Sequence, residues 1–362
     1  MVFPKALRDY RAAERGFSLV EVLMVVLIMG ILAGVLGSLM GGFVSGFEVT
    51  DDQSIARRRA QDVFNILQVP ILSAGLGLPT DDIALGAPET NNAYYFTVNY
   101  PAPITGWYGP VEVIDNNFSG EEDALRLVYS VFSGVKYNGS DPVDTFGGDP
   151  DVLSIPSVEF SVTSPLPEGY DGITFAAGGP TYSVHSYITF PGMGMHPILV
   201  TGTGASPNTI AVSGRKPHFP PPPSGDVVEK GFIRPYHDIY LVRAGVAYVD
   251  DESTFCFADI TSDDISGGTL PRASALRGAA YRVEGIKAMR VEVESAANRA
   301  VNSVTVFVVA EGDNSVTGRH DSRNTPSQAF RTNYPGVTFD QEMYYEEFQM
   351  RWRTRNVEPP EQ

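Results

Sequence analysis

The sequence predicts an α+β protein in which one long N-terminal helix packs on a large β-rich globular head. Residues 22–44 contain no charged side chain and are long enough to cross a bilayer as a helix. Beyond the helical pattern the chain is rich in Gly, Pro and aromatic residues, and short alternating stretches lie between turn signals. The 362 residues are enough for a large core and for more than one lobe.

The composition argues against nucleic-acid binding and against an intramolecular disulfide. The formal net charge is −17, and nucleic acid is not an expected partner because phosphate binding needs clustered Lys and Arg. The single cysteine, Cys256, excludes an intramolecular disulfide. Phe255 and Phe257 flank it, which predicts a position on a strand. We expect an inert thiol, since no basic or His-rich surrounding is visible in the sequence.

The first 15 residues form a short charged leader, with four basic side chains against two acidic ones. A basic flank before an apolar run places that end of the chain in the cytoplasm. A secretory signal peptide would have a shorter apolar core with small residues at its end, whereas Gly16 and Ser18 lie before the run here. Cleavage between Gly16 and Phe17 would remove the leader, residues 1–16, and keep the whole apolar helix.

The run GFSLVE at residues 16–21, followed by about 20 apolar residues, resembles the class III signal of type IV pilins and type II secretion pseudopilins. The resemblance implies a pilin-like fold. It also implies that a prepilin peptidase cuts after Gly16 on the cytoplasmic face and that the new amino group of Phe17 is methylated. Glu21 then corresponds to the glutamate that this family conserves.

Glu21 lies near the start of the apolar helix, where a charge in hydrocarbon is costly. The cost falls if a neighbouring helix brings an N-terminal ammonium within reach, because each charge then compensates the other. Such a pair would fix the axial register between subunits. The alternative is that Glu21 simply lies in the headgroup layer, where the cost of its charge is small.

Four glycines in the apolar helix, Gly30, Gly34, Gly37 and Gly41, form two G-x-x-x-G spacings. This spacing allows close approach of helices in lipid. Glycine also weakens a helix once the helix leaves the lipid. In the resembling family this part of the helix can loosen on assembly, which these glycines would permit. The alternative is that they reflect ordinary transmembrane composition.

A second helical pattern follows the polar residues 50–52, which are a candidate helix cap. Apolar residues at 55, 63, 64, 67 and 71 fall on one face, and Pro70 interrupts the helical hydrogen bonding. We therefore expect a transmembrane and assembly helix over 17–49 and an amphipathic helix packed on the head over 50–76. The three arginines at 57–59 are expected on a solvated face beside acidic neighbours, with a lipid headgroup contact as the alternative.

Residues 77–362 are predicted to form the β-rich head outside the cytoplasm. The stretch 239–248 is interpreted as a hairpin, and the proline-rich stretch 216–225 either separates two lobes or forms a stiff surface loop. Alternation predicts strands at 93–100, 124–132, 158–162, 182–190, 238–243, 246–249, 254–257, 281–293, 301–309 and 348–355.

The head contains no recognisable catalytic motif. H-E-x-x-H, G-x-S-x-G and P-loop patterns are missing, and the five histidines lack metal-ligand spacing. We therefore expect neither an enzyme nor a cofactor. Acidic loops are at most weak calcium candidates, because they do not match the EF-hand pattern and solvated turns explain them as well. One such loop holds Asp141, Asp144, Asp149 and Asp151.

Residues 59–77 and the strands 301–310 and 348–356 are similar to large minor pilins of the PilW type, which are related to J-type pseudopilins. Two features depart from the family: the head is long for a pilin, and it lacks the paired C-terminal cysteines that many pilins carry. The resemblance implies a structural minor pilin at the tip or priming complex of a type IV pilus. A large, strongly charged head fits a low-copy position, since many such heads would crowd and repel one another.

The resemblance also implies the partners and the location. The partners would be other pilins through their N-terminal helices, the prepilin peptidase with its methyltransferase activity, and the inner membrane before assembly. The chain would cross that membrane once, with its N-terminus in the cytoplasm, and then join an extracellular pilus. The alternatives are a J-type pseudopilin of a type II secretion system and, in a different class, a membrane-tethered enzyme or glycan-binding module.

Overall fold

The fold is described from a computed structural model, in which one long helix precedes a β-rich head. The chain divides into two compact units, Met1–Gln53 and Ser54–Gln362. The predicted strand at 93–100 and the proline-rich stretch 216–225 lie outside the described residues. The structure describes residues 18–76, 111–115, 123–139, 154–167, 174–176, 179–181, 187–191, 198–203, 208–215, 236–259, 281–295, 301–313, 332–340 and 343–354.

Helix α1 runs without a break over 54 residues, from Leu19 to Leu72. By length and composition it is able to cross a membrane. The cap predicted at 50–52 is wrong, because the helix continues through these residues. Thr50 instead turns its hydroxyl back to the carbonyl oxygen of Gly46 at 2.8 Å, which satisfies the hydroxyl inside the helix. Pro70 lies in the last turn and does not break the helix, which ends at Leu72; the proline only removes one N–H donor from the helical hydrogen bonds.

The described strands of the head form two larger sheets and one small hairpin. In the first sheet β1, β2, β9, β6, β7, β8 and β3 lie side by side, and β10 joins β9 to β11. The second sheet has the order β12, β13, β14, and β4 pairs with β5. The strands are β1 Val111–Asp115, β2 Asp123–Lys136, β3 Ser154–Ser161, β4 Thr174–Ala176, β5 Gly179–Thr181, β6 Tyr187–Thr189, β7 Ile198–Thr203, β8 Thr209–Arg215, β9 Asp238–Val249, β10 Thr254–Asp259, β11 Tyr281–Glu284, β12 Ile286–Ser295, β13 Val301–Glu311 and β14 Tyr345–Arg353.

The main core lies between the C-terminal part of α1 and both larger sheets. Val63, Phe64, Leu67 and Ile71 are buried there, as the apolar pattern predicts. The rings of Phe64 and Trp352, on β14, pack edge to face with 5.8 Å between their centroids. Ile55 is only half-buried. Two alanines that the sequence reading overlooked, at positions 56 and 60, complete the buried face and let the helix approach the sheets closely.

The end of α1 continues into the edge of the first sheet. Gly75 donates its N–H to the carbonyl oxygen of Val128 at 3.0 Å, and Ser130 donates to the carbonyl oxygen of Ser73 at 3.2 Å. Ala74 thereby forms a bridge with Tyr129. The helix end is thus hydrogen-bonded directly to β2.

The far end of the first sheet closes on itself. Asn138 donates to the carbonyl oxygen of Ser161 at 2.8 Å, and Thr163 donates to that of Lys136 at 2.9 Å. These bonds join β3 back to β2, so β2, β9, β6, β7, β8 and β3 form a ring. A second core fills the ring, formed by Val135, Tyr137, Phe160, Val162, Ile188, Phe190, Val200, Ile210, Val212, Ile239 and Leu241.

Strands from both sides of the proline-rich stretch meet in this sheet. β2 lies before residues 216–225 and β9 lies after them, and the two pair over most of their length. The division into two lobes at that stretch stays a prediction, because the stretch itself lies outside the described residues.

The hairpin interpretation of residues 239–248 is wrong, because β9 is a single strand that passes through Gly245. The glycine serves packing rather than a turn. A Cβ at this position would lie 2.6 Å from Cζ of Phe257, whose ring is buried beside Tyr129 and Tyr281. The missing side chain therefore leaves room for the phenyl ring.

The single strand predicted over 281–293 is divided in two by Gly285. This residue has φ 75°, in the left-handed region that glycine adopts without strain. It separates β11, in the first sheet, from β12, in the second sheet. The chain thus changes sheets at one residue.

Arg59 on α1 reaches this sheet junction. Its guanidinium donates to the carbonyl oxygen of Glu311 at 2.7 Å and pairs with the carboxylate of Asp313. A Cβ at Gly285 would lie 2.5 Å from the guanidinium carbon. Arg57 and Arg58 are exposed, as the predicted solvated face requires. The same prediction is wrong for Arg59, which is half-buried against the head, although it does pair with an acidic residue, Asp313.

The thiol of Cys256 lies in the core of the head and is fully buried. Burial raises the pKa of this thiol to about 12, and the nearby carboxylate of Asp250 adds to the effect. The thiolate is the reactive form, so the geometry agrees with the expectation of an inert thiol.

We expect Gly245→Val to destabilise the detergent-solubilised protein by about 1–3 kcal/mol, because a side chain there overpacks the ring of Phe257. The urea midpoint followed by near-UV circular dichroism measures the change. Gly30→Val is the matched control, since a Cβ at Gly30 would meet no atom within 4 Å. Equal midpoints for both variants would contradict the packing role of Gly245.

Cys256 should not react with an aromatic disulfide reagent at pH 8 in the folded protein, because its thiol is buried and protonated. One thiol per chain should react after unfolding in urea. Absorbance of the released thiolate counts the reacted groups. Rapid labelling of the folded protein would show that the thiol is accessible.

Candidate functional site

The candidate site residues divide into those that the structure describes and those that it does not. Glu21 and the four glycines of the two G-x-x-x-G spacings lie on α1 within the unit Met1–Gln53. Gly16 and Phe17 lie outside the described residues. The same holds for the weak calcium candidates Asp141, Asp144, Asp149 and Asp151.

The start of α1 is held by two hydrogen bonds from side chains to backbone N–H groups. Ser18 Oγ accepts the backbone N–H of Val20 at 3.2 Å, and Oε2 of Glu21 accepts the backbone N–H of Ser18 at 2.9 Å. Ser18 is thus the N-cap residue, and the Glu21 bond is the one found in a capping box. Here the serine hydroxyl accepts from the second residue of the helix, Val20, and not from Glu21 itself. The S-x-x-E spacing at 18–21 is the sequence signal for it, and the sequence reading overlooked that signal.

Glu21 therefore has a partner within its own chain. One carboxylate oxygen accepts the Ser18 bond, and among the described residues the other oxygen accepts none. A carboxylate in the first turn is also favoured by the partial positive charge of the helix N-terminus. The second oxygen can take a further donor while the cap stays in place.

The apolar surface of α1 is open in the isolated chain. Its large apolar side chains between Leu19 and Phe47 are 49–79% exposed. Soluble proteins rarely expose so large a continuous apolar surface, and such surfaces mark contacts with membrane or protein. Lipid or other helices must cover this part of α1.

The four glycines of the two G-x-x-x-G spacings have no packing role within the part of the chain that the structure describes. At Gly30, Gly34, Gly37 and Gly41 a Cβ would meet no atom within 4 Å. At 3.6 residues per turn the four positions fall within about 60° of the helix circumference. Each glycine costs the helix about 1 kcal/mol relative to alanine. No contact with another described residue offsets this cost.

Polar side chains of the second sheet make contacts within the sheet and with residues 332–340. The guanidinium of Arg290 lies over the ring of Phe307 at 3.8 Å and pairs with Glu292. Tyr334 donates its hydroxyl to Oε1 of Glu347 at 2.6 Å, which attaches residues 332–340 to β14. Burial raises the pKa of Tyr334, with the hydrogen bond to Glu347 adding to the shift. Within the described ranges no group of three or more His, Cys, Asp or Glu could hold a metal ion.

The match to a known protein family lies near the N-terminus of the chain. A family model described as the prokaryotic N-terminal methylation motif matches residues 11–37. No curated protein and no solved structure matches the chain. The finer resemblance to PilW-type or J-type proteins stays a prediction.

The motif indicates a structural protein that a prepilin peptidase processes and that is anchored in a membrane before it assembles with other pilins. Residues 11–37 therefore carry a type IV pilin-like prepilin signal, and the α+β fold that follows is pilin-like.

Proposed function

We propose that this chain is a structural minor pilin that joins the tip or priming complex of a type IV pilus through its N-terminal helix. A prepilin peptidase removes residues 1–16, and the new amino group of Phe17 is methylated. The match of residues 11–37 to the methylation motif is the observation that carries this proposal.

The exposed apolar surface of α1 can be covered first by lipid and later by the helices of other subunits. Before assembly the inner membrane covers it, with the N-terminus in the cytoplasm and the head outside. After processing, the helices of other pilins replace the lipid. The same side chains serve both states, because neither environment offers a polar partner.

Glu21 is proposed to set the axial register in the assembled state. The oxygen that is free among the described residues is available to the N-terminal ammonium of a neighbouring subunit. In a water-poor bundle of helices, an ammonium and a carboxylate that meet stabilise each other's charge. The cap keeps the carboxylate at the start of the helix, where the amino terminus of a staggered neighbour would pass.

The glycine stripe, formed by Gly30, Gly34, Gly37 and Gly41, is proposed to be a contact line for a neighbouring helix. Helix axes can approach closely where side chains are missing, and backbone contacts replace side-chain packing. A Cβ at these positions would contact no other described residue, which supports this use.

A J-type pseudopilin of a type II secretion system is the second candidate, because the same motif precedes both kinds of protein. It would use the same processing and the same helix. The two candidates differ in the assembly that contains the mature chain. Affinity capture of the mature chain therefore distinguishes pilus subunits from secretion-system subunits as neighbours.

In cells with an active prepilin peptidase, the mature protein should begin at N-methylated Phe17. Mass spectrometry of the intact protein and of its N-terminal peptide measures the cleavage and the added methyl group. Cells that lack the peptidase are the control and should retain Met1. An uncut chain in the presence of active peptidase would rule out the proposed function.

Glu21→Gln and Glu21→Ala separate the charge of Glu21 from its capping bond. Gln can still accept the N–H of Ser18 but cannot pair with an ammonium. Both variants should enter the membrane normally and lose incorporation into filaments by more than about a hundredfold, since leaving the neighbour's buried ammonium unpaired costs about 3–5 kcal/mol. Immunoblots of membrane and sheared-filament fractions measure both steps. Normal incorporation of Glu21→Gln would refute the register role.

A further inference from the structure

We propose that β14 is an interaction surface for a second copy of this chain. The two β14 strands lie antiparallel, centred on Gln349, and join the two second sheets into one sheet of six strands. The contact lies within the head. It goes beyond the proposed function, because it depends neither on processing nor on contacts between N-terminal helices.

β14 lies at the edge of the second sheet. Among the described strands it pairs with β13 alone. The opposite edge strand, β12, is attached to the first sheet, since Val291 donates its backbone N–H to Oδ2 of Asp123 at 2.7 Å. An edge strand directs every second pair of its backbone N–H and C=O groups away from its sheet, and a further strand can bind them.

The backbone of β14 is well suited to strand pairing. The strand has nine residues without Pro, Gly or Lys, and all nine pair with β13 in one uninterrupted register. Proline, bulges and lysine are the usual devices that protect an edge strand. Its centre is exposed at Gln349, Met350 and Arg351. Met350 is 42% exposed although it shares a face with Phe348 and Trp352, which contact the main core.

The sequence of β14, YEEFQMRWR, is complementary to itself when two copies run antiparallel. With Gln349 opposite its own copy, Glu347 lies opposite Arg351 and Phe348 lies opposite Met350. The charged pair falls on the polar face and the apolar pair on the core face, because successive side chains of a strand alternate between faces. Two-fold symmetry makes each pair occur twice, and pairs of both kinds stabilise a sheet.

Other arrangements of the two strands are less favourable. Parallel pairing in register places Glu347 opposite Glu347 and Arg351 opposite Arg351, and like charges directly opposite each other are destabilising. A shift by one residue puts the polar face of one strand beside the apolar face of the other. A shift by two residues leaves the ends of both strands without a partner. The antiparallel register centred on Gln349 pairs all nine residues.

The contacts of the charged side chains within the chain are compatible with this pairing. Arg351 donates Nε–H to Oγ of Ser303 at 3.1 Å and pairs with Glu294, yet its side chain is 58% exposed. A guanidinium has five N–H donors and can bind a second carboxylate. Glu347 accepts the hydroxyl of Tyr334 through Oε1, and among the described residues its Oε2 accepts no hydrogen bond.

The contact is small, and the heads repel each other at long range because the chain has a formal net charge of −17. Salt limits this repulsion to about 8 Å at physiological ionic strength, whereas the charged pairs of β14 are in direct contact. Anchoring of both chains in one membrane raises their effective concentration. We therefore expect the dimer in membranes and test it there.

Disulfide cross-linking of full-length protein in phosphatidylcholine vesicles tests the register. Gln349→Cys places two thiols opposite each other, with Cβ atoms about 4.5–5.5 Å apart, and mild oxidation by copper phenanthroline should join them. Arg353→Cys is the matched control on the same face of the same strand, where the two thiols would be about 27 Å apart. The wild type gives the background, since its single thiol is buried. Non-reducing gel electrophoresis measures the dimer.

Charge reversal tests the pairing of Glu347 with Arg351. Added to Gln349→Cys, Arg351→Glu turns both opposite-charge pairs into like-charge pairs and should slow cross-linking about tenfold. Reversal of both charges, Glu347→Arg with Arg351→Glu, should restore the rate. Near-UV circular dichroism shows that each variant is folded.

Cross-linking at position 349 without cross-linking at 353, together with rescue by the double reversal, supports the proposal. Equal cross-linking at both positions would indicate parallel pairing or random collision and would overturn it. No cross-linking at position 349 would also overturn it, because another segment or no partner then covers β14. Cross-linking at 349 that ignores the charge variants would show that α1 or another surface brings the chains together, which refutes the role of β14.

Discussion

The burial of one face of the C-terminal part of α1 is the contact on which the head depends. Each of the two larger sheets has an apolar face that needs a cover, and the helix residues between Ala56 and Ile71 contribute to the core that joins both. The small side chains of Ala56 and Ala60 let the helix backbone lie close to the strands, and Phe64 packs against Trp352. Arg59 joins this core to the point where the chain passes from one sheet to the other.

The N-terminal part of α1 has a different distribution of side chains. Between Leu19 and Phe47 it is apolar on all sides, so no single face can be assigned to a core of its own chain. One continuous helix thus combines a part that folds against protein with a part that needs lipid or other helices. The two parts differ in side-chain pattern and not in backbone structure, which explains why polar residues at 50–52 do not end the helix.

Periodic apolar residues made much of this fold predictable. The helix, its buried positions 63, 64, 67 and 71, and the strands around Ala124 and Val301 follow from spacing alone. The structural roles of two glycines, Gly245 and Gly285, could not be predicted from the local sequence. Gly245 looks like a turn until Phe257 is known to lie across from it, and the role of Gly285 depends on which sheet each flanking strand joins. The capping box could have been found, because its S-x-x-E spacing is local, but the charge of Glu21 drew the interpretation towards neighbouring subunits. Processing at Gly16 and Phe17 rests on sequence resemblance, since these residues lie outside the described ranges.

The hydrogen bonds between residues 73–75 and β2 have a mechanical consequence. The chain between α1 and the head is held by hydrogen bonds at this point, so a pulling force on the C-terminal part of α1 meets no loose linker. It is transmitted to β2 through hydrogen bonds, and β2 is itself held by β9 and β1. Because β2 pairs antiparallel with both strands, a force that enters at residues 73–75 passes into the first sheet and not into a single loop.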